Sequence, residues 1–236
     1  LTNKKRARSG VVHYSGGRKG GGGKSLVSIA LVALLRQEGR QVILVEGDAA
    51  NSEAYMAYCG SSDVRCEPIL LDRQEGWLEL VDLIEANAEY DIVINTGARQ
   101  EEEVDTTLPF LVECLNSLER TIQVYWAMNR QQDSLNQIGA FADRWPDVPL
   151  YAIRNLYFGE PDDFKPFNGD QALITDLRKR GAVVDLAVLA KRVVDRIYNE
   201  RQPPHVIIEE GVVADRIEMQ RWLKRVREAL GDAISA

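Results

Sequence analysis

The chain has 236 residues, 45% of them hydrophobic and 28% charged, with a net charge of −7. These values suit one large α/β domain or two small ones, with a substantial core, and they exclude a disordered chain. No apolar run reaches the roughly 20 residues of a membrane-spanning helix, and the first residues do not follow a signal-peptide pattern. Cys59, Cys66 and Cys114 are odd in number and match no metal-ligand spacing, and His13 and His205 stand apart. A zinc site or disulfide framework is therefore not expected, and a reducing cytoplasm is the expected location. Charge is unevenly spread. Residues 1–10 hold four cations and no acid, and residues 176–236 hold twelve Lys and Arg against ten Asp and Glu. The acidic excess thus lies between them, leaving room for a basic face in the C-terminal part.

Residues 1–10 (with Lys4, Lys5, Arg6 and Arg8) read as a flexible tail or a nucleic-acid arm, and residues 11–236 as one domain. A strand-like run from Val11 to Tyr14, with His13 packed in or beside it, leads into Ser-Gly-Gly-Arg-Lys-Gly-Gly-Gly-Gly-Lys-Ser from Ser15 to Ser25. Lacking Cβ atoms, such a backbone can turn its amides inward around an anion, and a following helix adds its N-terminal dipole. Gly20, Gly21, Gly22, Gly23, Lys24, Ser25 and Leu26 are the expected nucleotide-binding stretch, with Lys24 on the phosphates and the Ser25 hydroxyl on Mg²⁺. Residues 26–38 predict a helix buried nearly all round, stopped by Gly39.

Gln41–Glu46 is a continuous apolar run typical of a central parallel strand, followed by the turn Gly47–Asn51. Helical periods follow at 77–88, 106–118, 134–145 and 170–180, and strands at Asp91–Asn95, Thr121–Met128, Val148–Arg154 and Ala182–Leu186. Residues 156–169 form the longest irregular stretch, expected as a mobile loop. The alternation predicts one α/β domain: a mostly parallel, twisted sheet with helices on both faces. From Asp215 to Ile234, apolar residues at helical spacing are interleaved with Arg216, Arg221, Lys224, Arg225 and Arg227. This helix either packs on the sheet with its charges solvated or presents a basic amphipathic face. Arg178, Lys179 and Arg180 form a second basic cluster, which also reads as a solvated helix end.

Arg18 stands where the strict P-loop pattern has Gly, and the loop instead fits Lys-Gly-Gly-x-Gly-Lys-Ser, with Lys19 as an additional lysine. In its strand–loop–helix context this spelling resembles the ParA/MinD family of P-loop ATPases. The resemblance implies a single P-loop NTPase domain, ATP and Mg²⁺ as ligands, and ATP hydrolysis coupled to an ATP-bound homodimer. Turnover would be slowed because Asn95 takes the place of the family's Walker B acid. Lys19 would reach the partner's phosphates, and a partner protein would stimulate turnover. Val45-Glu46-Gly47-Asp48 resembles the family's strand-end acidic motif, which implies that Asp48 aligns the attacking water beside the metal; an acid there also suits a helix N-cap. The family's Walker B acid corresponds to Asn95, an amide that can hold a metal-bound water without supplying charge. Asp91 lies at the wrong end of that strand to replace it. Asn155 matches a position that reads adenine, and equally suits a turn.

The segment Asn95-Thr96-Gly97-Ala98 resembles a subgroup linked to conjugation or plasmid mobilisation. The implied surface is DNA, bound without sequence preference, with membrane as the alternative that the sequence leaves open. A non-hydrolysing nucleotide-binding scaffold and a metabolic P-loop enzyme acting on a small molecule are the alternatives.

Overall fold

Every run read as a strand from the sequence joins one sheet. The structure, a computed structural model, describes residues 9–17, 22–47, 52–97 and 101–235. In chain order the elements are β1 (Val12–Gly16), α1 (Lys24–Gln37), β2 (Val42–Glu46), α2 (Glu53–Tyr58), β3 (Arg65–Pro68), α3 (Gln74–Ala86), β4 (Asp91–Asn95) and α4 (Glu101–Ser117). They continue with β5 (Ile122–Met128), α5 (Gln132–Arg144), β6 (Leu150–Asn155), α6 (Lys165–Gly169), α7 (Gln171–Arg180) and β7 (Ala182–Leu186). The C-terminal elements are α8 (Lys191–Tyr198), α9 (Pro204–Glu210), α10 (Val213–Leu230) and α11 (Asp232–Ser235).

The sheet order is β3-β2-β4-β1-β5-β6-β7, and every pairing is parallel. From β1 the chain first builds outward through β2 and β3, returns to β4, and then crosses to β5 on the other side of β1. β1 is therefore the point where the winding reverses, and ligands of such sheets bind beyond the strand C-termini there. The glycine-rich stretch is the connection leaving that strand.

Side chains alternate faces along each strand. Val42, Leu44 and Val93 enter one core with α1, α2 and the C-terminal helices. Val12, Tyr14, Ile43, Val45, Ile92 and Ile94 enter the other, with α3, α4, α5 and α7. α1 is apolar nearly all round because it is covered twice, by the sheet on one side and by α2, α9, α10 and α11 on the other. On α10, Met219, Trp222, Leu223, Val226 and Leu230 are buried, so its apolar face is spent on the core.

Two expectations need correction. Residues 156–169 are not a loose loop: they form two 3₁₀ turns and α6, with Phe164 and Phe167 buried in the second core. Arg154 anchors them, donating to Asn168 Oδ1 at 2.9 Å and to both carboxylate oxygens of Asp185 at 2.7 and 3.0 Å. Arg180, for its part, is not solvated. It donates to the carbonyls of Ala142, Trp145 and Val148, satisfying the C-terminal end of α5. β3 escaped the sequence reading because it is a four-residue edge strand whose ends are exposed, with no apolar run to mark it.

At the strand N-termini, away from the loop, Asp91 accepts from the Val11 amide at 2.7 Å and lies 3.5 Å from Arg40 and 3.7 Å from the buried His13 ring. Its place there agrees with its exclusion as the metal-side acid. All three cysteines are free thiols. No helix among the described residues is long and apolar enough to cross a membrane.

Candidate nucleotide-binding site

The glycine-rich loop is described at both ends, Gly17 and Gly22–Gly23; Lys19, Gly20 and Gly21 lie outside the described residues, as does Asp48. Gly23 has φ +104°, in the left-handed region, and a Cβ there would stand 2.5 Å from Asn155 Nδ2. Glycine is thus required twice over, by backbone conformation and by space. The first intrahelical bond of α1 runs from Val27 N to Gly23 O at 3.0 Å. The amides of Lys24, Ser25 and Leu26 precede it and have no acceptor within the helix, and the first turn carries no acid to compete with an anion.

Lys24 is 8% exposed, and its ammonium donates to the Gly17 carbonyl at 2.7 Å, bridging the start and end of the loop. Its own carbonyl accepts from Ser15 Oγ at 3.0 Å, fixing α1 to the end of β1. The Ser25 hydroxyl is partly exposed and bonds to no described residue. A positive-φ cradle, a helix N-terminus whose first amides have no acceptor within the helix, an ammonium and an open hydroxyl together suit a polyphosphate with a bound Mg²⁺.

Glu46, Asn95 and Ser15 all point toward α1, since the strand alternation that sends Leu44 and Val93 into that core repeats two residues later. Glu46 and Asn95 are register partners across β2 and β4. Asn95 Nδ2 donates to the two Glu46 carboxylate oxygens at 2.8 and 3.1 Å, while its Oδ1 accepts from Ser28 Oγ at 3.0 Å. These residues are nearly or wholly buried. Glu46 Oε2 also accepts from the Tyr55 amide at 3.2 Å. Thr96 Oγ1 donates to the Ser15 carbonyl at 2.7 Å. The Asn95 side chain, expected beside the metal, is thus engaged with Glu46 and with Ser28, one helical turn beyond Ser25. Glu46 went unassigned in the sequence reading; its place as the polar last residue of an apolar strand run, like that of Asn95, was the available signal.

Asn155 comes to the loop from the end of β6. Its Nδ2 donates to the Gly22 carbonyl at 3.1 Å and its Oδ1 accepts from the Tyr157 amide at 3.1 Å. It therefore makes the turn allowed for in the sequence and also braces the glycine run.

These features define a P-loop NTPase fold of the MinD and ParA type. The MinD septum site-determining protein of Pyrococcus horikoshii OT3, solved with Mg-ADP, superposes with a TM-score of 0.56 at 14% identity, over 94% of this chain and 96% of that one. A ParA family ATPase from Chlorobium tepidum TLS superposes with a TM-score of 0.56 at 14% identity, over 92% and 98%. No family model matches the chain. In sequence it is 34% identical to Protein MobD of Acidithiobacillus ferrooxidans over 223 residues, covering 94% of this chain and 97% of MobD. The chain belongs to the MobD family.

Gly23→Ala is expected to strain the loop by roughly 1–3 kcal/mol and to weaken nucleotide binding at least tenfold. Titration with a fluorescent ADP analogue would test this, and affinity equal to the parent's would show that the cradle does not depend on the glycine.

Proposed function

We propose that this chain is an ATP-dependent dimerising switch that positions DNA or a DNA-processing complex, as in plasmid mobilisation or partition. The observation that carries this reading is Lys24 bridging a positive-φ glycine loop at the sheet's winding reversal. The MobD relationship and the MinD and ParA fold support it.

ATP would bind with its phosphates on the Gly20–Gly23 amides, Lys24 and the first turn of α1. Mg²⁺ would be held by Ser25 with the strand-end polar layer around Asn95, and when bound it neutralises charge on the phosphates. Asp48 would align water, and Lys19 would reach across a dimer of two ATP-bound copies. An amide at 95 in place of an acid is consistent with slow turnover, and a partner protein would then accelerate it. The buried apolar face of α10 supports DNA over membrane as the surface, because a membrane-docking helix needs that face free. The cytoplasm is the natural compartment for such a switch.

Mass measurement in solution with Mg²⁺-ADP, Mg²⁺-ATP and a non-hydrolysable ATP analogue, with phosphate release followed in the same samples, tests the proposal. A dimer specific to ATP and its analogue, with slow phosphate release from ATP, is the expected result. A monomer in every nucleotide would refute the switch. A dimer without phosphate release would favour the non-hydrolysing scaffold, for which the missing acid at Asn95 is the specific support.

A further inference from the structure

We propose that Glu46 carries the carboxylate charge on the metal side of the nucleotide site, and that Asn95 is its positioning residue. This inference rests on the nucleotide-binding reading above. It reassigns the charge within the site: the acid belongs to β2, and the amide at the end of β4 orients it.

The juxtaposition is specific. Glu46 and Asn95 are opposite one another in the β2–β4 register, and one amide nitrogen bonds both carboxylate oxygens. Glu46 is 4% exposed and Asn95 1%. An aspartate at 95 would place an acceptor where the Nδ2 donor now stands, so two carboxylates would face each other at hydrogen-bonding distance in a buried layer. That opposition is a physical reason for an amide at this position. The other end of the amide accepts from Ser28, so the orientation of Asn95 is fixed from both sides.

The pair also lies in the right layer. Ser28 is one turn of α1 from Lys24 and Ser25. Ser15, the register partner of Asn95 on β1, bonds the Lys24 carbonyl. The carboxylate therefore sits at the strand ends beneath the first turns of α1. Magnesium is commonly held by one or two carboxylates together with hydroxyl, water and phosphate oxygens, and a Glu46–Ser25 donor set fits that pattern. Among the described residues no group of three His, Cys, Asp or Glu side chains offers a separate metal cage.

Exchange of the pair provides the test. ADP affinity is measured with Mg²⁺ and with EDTA for the parent chain, Glu46→Gln, Asn95→Asp and the double variant, together with thermal melting of each. In the parent, Mg²⁺ should tighten ADP binding. Glu46→Gln should lose about tenfold of that Mg²⁺ gain while keeping its Mg²⁺-free affinity. Asn95→Asp should melt lower than the parent. The double variant restores one amide facing one acid, and should recover both the melting temperature and the Mg²⁺ gain.

A full Mg²⁺ gain in Glu46→Gln, or a double variant no better than the singles, overturns the proposal. So does a parent whose ADP affinity ignores Mg²⁺. A parent that binds no ADP under either condition instead removes the nucleotide-binding reading on which this one stands. Should Glu46→Gln fail to fold, the double variant decides: a retained Mg²⁺ gain supports the exchange and a lost one refutes it.

Discussion

Lys24→Ala is expected to weaken ADP and ATP binding by about a hundredfold or more. Truncating one partner of a buried, hydrogen-bonded charge pair costs roughly 2–5 kcal/mol, and each 1.4 kcal/mol is about a tenfold change in affinity. Lys24 is buried at the mouth of α1, and its ammonium bridges to Gly17. When a polyphosphate binds, that ammonium is the cation of the described loop best placed to meet it. Arginine should not rescue the loss, because its broad planar fork does not fit a gap closed by a single 2.7 Å contact. Calorimetric titration of parent and variant measures the effect, with melting in the absence of nucleotide as the folding control. Affinity within threefold of the parent would refute the phosphate cradle.

Asp215→Ala is expected to cost about 3 kcal/mol of stability, the low end of the range for breaking a buried ion pair. Asp215 is fully buried in the first turn of α10, where Arg192 and Arg196 of α8 both donate to its carboxylate. The low end applies because the Arg192 side chain is 64% exposed and its share is screened by solvent. At about 2–4 °C per kcal/mol for a domain of this size, the melting temperature should fall by roughly 6–12 °C. Burial by itself would raise the carboxyl pKa, but the hydrogen bonds from Arg192 and Arg196 outweigh it and hold the pKa below the usual aspartate value. A folded pKa below the unfolded one means stability that is fully present above the unfolded value, near 3.9, and lost as pH falls through the folded one. The gap between parent and variant should therefore be constant from pH 5 to 8 and close below pH 4. A gap that persists unchanged at pH 3 would show that packing, not charge, sets the effect.

In the proposed function, nucleotide binding would depend on how tightly α1 is held. α1 carries Lys24 and the first-turn amides at one end, and its apolar length is enclosed between the sheet and α10. The Asp215 clamp fixes α10 to α8, so a loss there should loosen the cover over α1 as well as lower the melting temperature. Nucleotide added in excess should raise the melting temperature of both parent and Asp215→Ala, because a ligand that binds only the folded chain stabilises it.

Much of the molecule is legible from local pattern alone. Continuous apolar runs such as Val42–Val45 and Ile92–Ile94 identify central parallel strands, because strands covered on both faces have no polar side to alternate with. The glycine run between an apolar strand and an all-apolar helix identifies the anion cradle, since backbone conformation and helix polarity are properties of consecutive residues. The burial of α10 follows from the helical spacing of Met219, Trp222, Leu223, Val226 and Leu230. What tertiary structure alone decided are the meetings between residues far apart in the chain. Arg180 reaches the end of α5, and Asn155 braces Gly22 from 133 positions away. Glu46 faces Asn95 only because β2 and β4 pair in one register, a choice set by packing both cores at once rather than by either strand's own residues.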